Sequence, residues 1–158
     1  MKAKFVYEAM GDVLKGKSEE EIMSSLKNTN LDSDDLLIQS SEKGFLPGIK
    51  KALEMGADVH AHNDAALRRA SEKGHSDIVE FLIKNGADIH SNDEYALRVA
   101  SYNGHTNIVE LLLINGANIH DDEALRLASG NGHLDVIELF NLRMELVKNI
   151  KHKIIKII

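Results

Sequence analysis

Apolar residues recur along this chain in short bursts at helical spacing, and glycine closes each burst. Leu97 and Ala100 lie about one turn apart, and after a Gly-His step come Ile108, Val109, Leu111 and Leu112. That pattern predicts two short antiparallel helices sharing one core. Neither helix is long enough to hold by itself in water, so the unit needs neighbours.

The neighbours are written in the sequence. Ala65-Ala66-Leu67-Arg68-Arg69-Ala70-Ser71-Glu72-Lys73-Gly74-His75 returns as Tyr95-Ala96-Leu97-Arg98-Val99-Ala100-Ser101-Tyr102-Asn103-Gly104-His105, and again from Glu123-Ala124-Leu125 to Gly132-His133. Each copy leads into an apolar helix: Ile78 to Ile83, Ile108 to Leu113, Val136 to Phe140. An earlier copy, Leu36 to Gly44, keeps the frame but has Phe45 in place of the histidine and Gly48 in place of the helix isoleucine. Its Pro47 falls in the first turn of the second helix, where the missing N–H costs nothing. The glycines at 44, 74 and 104 and at 56, 86 and 116 set a period of 30, with a last step of 28 from Gly104 to Gly132. Self-similarity at such a period is the mark of a stacked repeat array. Ala70, Ala100 and Ala128 let first helices approach closely, and the loop glycines supply left-handed backbone where helices stop.

In these motifs the chain resembles the ankyrin repeats, whose pattern is a Thr-Pro-Leu-His-x-Ala-Ala helix, a Gly-His loop, an Ile-Val-x-Leu-Leu-Leu helix and a Gly-Ala-Asp-Val-Asn turn. The likeness covers residues 33–140. It departs in three ways: the period is shorter than the family's ~33, arginine stands for the first-helix histidine (Arg68, Arg98, Arg126), and histidine for the turn asparagine (His60, His90, His120). The missing residues fall between the turn and the Ala-Leu pair, so the hairpin fingers should be short. This spelling resembles the ankyrin arrays of giant DNA viruses, and the leader is similar to uncharacterised phage reading frames. The resemblance implies an all-α ankyrin-repeat solenoid of stacked helix-turn-helix units with short hairpin fingers and helical caps.

The expected organisation is a helical cap over 1–32, four repeats over 33–61, 62–91, 92–120 and 121–140, and a basic amphipathic helix over 141–158 continuing the last repeat. In the cap, Phe5, Ala9 and Val13 share a helical face, and Ser18-Glu19-Glu20-Glu21 spells a capping box.

Composition narrows the function. The 158 residues contain no cysteine, which removes disulfides, thiolate zinc sites and cysteine nucleophiles. A net charge of −6 opposes phosphate, so no nucleic-acid partner is expected. There is no secretory or transmembrane pattern, and the expected location is the cytoplasm, that of the host if the protein is viral. Charge is uneven: residues 143–158 carry +4, which leaves −10 for the rest.

Eight histidines raise the question of a metal. Equivalent positions in stacked repeats sit about one helix diameter, ~10 Å, apart, too far for ligands of one ion. The recurring histidines read as bridges between loops. No phosphate loop or Ser/His/Asp arrangement appears, and Asp93-Glu94 and Asp121-Asp122-Glu123 read as helix caps or as partner contacts. The chain is expected to be no enzyme and to need no cofactor or metal. The arginine series reads as a structural column or as a stripe for an acidic partner.

What varies from repeat to repeat is the face of the first helices, the expected docking surface for a protein partner. Its candidates are Arg69, Glu72, Lys73, Asp93, Glu94, Tyr95, Val99, Tyr102, Asn103 and Asn131, with the two tyrosines as anchors. The tail sets Val147, Ile150, Ile154 and Ile157 on one stripe among lysines. Capping the array, self-association and contact with an anionic membrane are its three readings, capping first. A monomer is expected over a homo-oligomer.

Overall fold

A glycine at a helix C-terminus removes the Cβ penalty of left-handed backbone, and here that licence is used throughout. Gly44, Gly74, Gly104 and Gly132 all have φ between +69° and +81°, and Gly56, Gly86 and Gly116 lie between +89° and +106°. A computed structural model describes residues 18, 20, 21, 24 and 32–155. Among the described residues every regular element is helical.

The chain divides into two compact units, Met1–Asp88 and Ile89–Ile158. In the first, α1 (Ser33–Lys43) packs on α2 (Leu46–Glu54) and α3 (Ala61–Lys73), and α3 packs on α4 (Ser76–Lys84). In the second, α5 (Ser91–Tyr102) packs on α6 (Thr106–Ile114) and α7 (Asp122–Gly130), and α8 (Leu134–Ile155) covers α6 and α7. Each unit is thus a pair of helix pairs, first helix against first helix. The small residues sit where the first helices meet: Ala70, Ala100, Ala124 and Ala128 are fully buried, while Ile78, Leu82, Ile108, Leu112, Val136 and Phe140 fill the layer behind them.

Asp32 caps α1 by accepting from the backbone N–H groups of Asp34 and Asp35. Pro47 lies in the first turn of α2 as the register requires. The Ser18–Glu21 capping box forms in both directions, at 2.9 and 3.3 Å. The rest of the cap expected over 1–32 lies outside the described residues, as do Lys156, Ile157 and Ile158 of the tail. The last repeat's second helix runs on unbroken through 22 residues, the single long helix that the lack of a Gly-Ala-Asp stop predicts.

The fingers are short and pair no strands. In their place α3 opens with His62, Asn63 and Asp64 at φ +52°, +58° and +52°, and α5 opens with Asn92, Asp93 and Glu94 at +54°, +61° and +59°. Three consecutive non-glycine residues in left-handed backbone cost roughly 1–2 kcal/mol each, less for Asn and Asp, which bond locally. The last repeat, two residues shorter, omits this turn, and Asp121 caps α7 directly by accepting from the Ala124 N–H at 2.9 Å.

The first repeat's departures compensate one another. Phe45 is buried where other repeats carry a half-buried histidine, and a Cβ on Gly48 would come within 2.3 Å of Ser40 Oγ and 2.6 Å of the Phe45 ring. The ring therefore occupies the space that the absent isoleucine side chain leaves. A double-mutant cycle checks this: Gly48→Ile should cost about 1–3 kcal/mol by overpacking and Phe45→His a similar amount by leaving a void. The double variant should recover part of the loss in urea denaturation, a coupling that independent sites would not show.

Candidate binding surface

First-helix residues at i, i+4 and i+7 share a helical face, and on α5 those are Tyr95, Val99 and Tyr102. Tyr95 is 40% and Tyr102 50% exposed, with Val99 half-buried between them. The equivalent positions on α7, which packs beside α5, are Glu123, Leu127 and Gly130. A Cβ on Gly130 would meet nothing within 4 Å, so the floor next to Tyr102 is open.

The remaining candidates divide by what already holds them. Arg69, Glu72 and Lys73 lie in the first unit, and Asp93, Glu94, Asn103 and Asn131 in the second. Glu72 sits between Arg69 Nη1 at 3.0 Å and Lys73 Nζ at 3.2 Å. Partial burial pushes its carboxyl up, but the bonds and charges of the two cations outweigh that and hold it below the usual carboxylate range. Asn103 and Asn131 donate from Nδ2 to the carbonyls of Val99 and Leu127, both at 2.8 Å, closing their own helices. Asn115 does the same to Leu111. Asp93 is exposed but bonded to Arg98 Nη1 at 2.7 Å. Glu94 is different: it is 8% exposed, with Oε1 2.5 Å from His90 Nδ1. Its carboxylate belongs to the interior of the finger.

Acids ahead of the Ala-Leu pair have a role that motif reading missed. Asp34 Oδ1 accepts from the Asp58 N–H and Asp64 Oδ1 from the Asp88 N–H, each at 2.8 Å, so the start of a repeat is tied to its closing turn 24 residues later. His60 Nδ1 adds a second bond to Asp64 at 3.1 Å. The 30-residue register of Asp34, Asp64 and Glu94 was the available signal.

The arginine series has different partners in each repeat, and only Arg68 and Arg98 bond to the turns or to a buried acid. Arg68 donates from Nε and Nη2 to the carbonyls of Asn63 and His62, both at 3.0 Å, satisfying the left-handed turn. Arg98 joins Asp93 to Asp121, the latter buried, with Nε to Oδ2 at 2.9 Å. Desolvation works against its charge, but the two carboxylates prevail and raise its pKa above the ordinary value. Arg126 forms a two-point pair with Glu123 at 2.6 and 2.8 Å in full solvent, and that bond holds the Glu123 carboxyl below its usual range. Two of the recurring histidines bridge loops: Nε2 of His75 donates to the Glu42 carbonyl at 3.0 Å, and Nε2 of His133 to the Tyr102 carbonyl at 2.8 Å. Among the described residues no group of three or more His, Asp or Glu is placed to hold a metal, and no helix is long and apolar enough to cross a membrane.

Arg98→Ala should lower unfolding free energy by about 1–3 kcal/mol, because buried Asp121 loses a charged partner. Arg126→Ala should leave the urea midpoint close to that of the wild type, since exposed pairs contribute little. Equal losses would show that the two arginines do the same work.

No curated protein matches the chain. The family model described as ankyrin repeats (many copies) matches residues 67–113, from within α3 to the end of α6. Over that stretch the chain matches ankyrin repeats, a kind of repeat that serves in general as a protein–protein interaction module.

Proposed function

We propose that this protein is a non-catalytic cytoplasmic module that binds a protein partner through the first-helix face of its second unit. The observation that carries the reading is the Tyr95–Val99–Tyr102 stripe beside Leu127 and Gly130. Side chains that serve the fold are occupied: Glu94, Asn103 and Asn131 close fingers and helix ends, and Asp93 is held by Arg98. Tyr95 and Tyr102 are large side chains that expose 40% and 50% of their surface on that face. A tyrosine offers much contact area for two rotatable bonds and carries a hydroxyl at its tip, which suits an anchor at the centre of an interface. Val99, half-buried between the rings, gives the stripe a continuous apolar strip. The exposed pairs Asp93–Arg98 and Glu123–Arg126 supply a polar rim.

Arg69, Glu72 and Lys73 form a separate charged cluster on α3, and we assign it a secondary role in selecting partners by charge. The repeat spelling that resembles giant-virus arrays makes a host protein the class of partner to seek.

Affinity capture from host lysate with the wild type beside Tyr95→Ala/Tyr102→Ala tests the reading. A partner retained by the wild type should fall at least about tenfold on the double variant, the loss expected for two anchor residues. Circular dichroism should be unchanged, since both rings are exposed. Equal retention by the two proteins would move the site off this face.

A further inference from the structure

Four helices are followed by the same dipeptide: Asn85-Gly86 follows α4, Asn103-Gly104 α5, Asn115-Gly116 α6 and Asn131-Gly132 α7. Asn-Gly is the dipeptide most prone to lose ammonia, because glycine has no side chain to hinder attack by its backbone nitrogen on the asparagine side chain. The fold opposes that attack in the same way at all four. Each asparagine Nδ2 donates at 2.8 Å to the carbonyl four residues back, which holds the side-chain amide against its helix. Each glycine N–H donates to the carbonyl three residues back, at 3.0–3.3 Å, so the nitrogen is not free to give up its proton. Reaction therefore requires the helix end to open.

What differs among the four is how the end is anchored. From two residues before the asparagine to four after it, Asn85 has Ala87 and Ile89 buried, Asn103 has Ser101, and Asn115 has Leu113 and Ala117. Over 129–135 no residue is buried: His133 is half-buried, and Ser129, Gly130, Leu134 and Asp135 are exposed together with Asn131 and Gly132. The last turn of α7 also ends in Gly130, which weakens a helix, where α4, α5 and α6 end in Lys84, Tyr102 and Ile114. A segment held by few buried contacts opens most readily.

We propose that Asn131 is a site of self-modification, converting to aspartate and isoaspartate ahead of the other three asparagines. When the end of α7 opens, the Gly132 nitrogen bonds to Asn131 Cγ, the Cγ–Nδ2 bond breaks, and the glycine amide proton leaves with Nδ2 as ammonia. Water then opens the cyclic imide at one of its two carbonyls, with no change of oxidation state. Either product loses the donor to the Leu127 carbonyl and sets a negative charge at a helix C-terminus, where the macrodipole disfavours it. Isoaspartate also adds a carbon to the main chain just ahead of His133, whose bond to the Tyr102 carbonyl joins the last repeat to the one before. Conversion thus loosens the end of the array, whether or not the first-helix face binds a partner.

The test is to hold the full chain in mildly alkaline buffer and follow each Asn-Gly pair by tandem mass spectrometry of its peptides. Conversion at Asn131 should run at least about tenfold faster than at Asn85, Asn103 or Asn115. In concentrated urea, where only the dipeptide counts, the four rates should converge. Gly130→Ala, whose Cβ would meet nothing within 4 Å, firms the last turn of α7 and should slow Asn131 roughly two- to fivefold while leaving the other three unchanged. Equal rates in the folded chain, or a lead by any of the other three, would overturn the proposal. So would a Gly130→Ala rate equal to that of the wild type. An Asn131 lead that persists in urea would overturn it too, since the choice of site would then lie in the dipeptide's neighbours and not in the fold.

Discussion

Successive repeats in each unit depend on one contact: a histidine at the start of a second helix donates from Nε2 to a carbonyl near the end of the preceding first helix. His75 reaches Glu42 and His133 reaches Tyr102 in this way. A carbonyl only accepts, so Nε2 carries the proton, and the other face of the ring lies on the loop glycine of the repeat before. A Cβ on Gly44 would stand 2.8 Å from His75 Nδ1, and one on Gly104 would meet the His133 ring. The glycine therefore answers two demands at once: positive φ at the helix end and room for the next repeat's ring. In the first repeat the histidine's place is taken by Phe45, which is buried.

Shortening the finger to a 30-residue period creates a second constraint. The chain must return from the closing turn to the next first helix in fewer residues, and it does so through a left-handed turn at His62–Asp64 and Asn92–Glu94. Such a turn is unfavourable for residues with a side chain and leaves carbonyls without helical partners. Arg68 satisfies two of those carbonyls, and Asp64 ties the turn to the far end of its repeat. That accounts for arginine at position 68: the longer, five-donor side chain spans the reversed turn. In the last repeat, where two residues are missing, the turn is gone and Arg126 is released to pair in solvent with Glu123.

These structural duties divide the first-helix face. Polar residues that look available in sequence, Glu94, Asn103 and Asn131, are committed to finger and helix closure. The tyrosines stand half in water. The surface is thus sparse: a few large side chains on a frame whose polar atoms are largely spoken for. The last repeat of the second unit is sparse in the opposite sense, with Leu125, Ser129 and Ile137 less buried than their equivalents one repeat earlier.

The sequence by itself determined the all-helical repeat array, its register and its stop signals. Glycine, proline and alanine act through local sterics that neighbours do not alter, so Gly44 to Gly132, Pro47 and Ala70, Ala100 and Ala128 could be placed from spacing alone. It also kept the repeated histidines from being read as one metal site, because stacked equivalents lie too far apart to converge on one ion, and it left the arginine series open between frame and partner stripe. Tertiary structure decided the rest. Whether an acid is surface or interior depends on what a left-handed turn folds it against, and Glu94 and Asp93 are adjacent yet lie on opposite sides of that divide. The compensation of Gly48 by Phe45 is a matter of volume, which residue identity shows only when the two atoms are known to meet. The exposure of α8 follows from where the stack of packed helices ends, a property of the assembled array that no stretch of sequence encodes on its own.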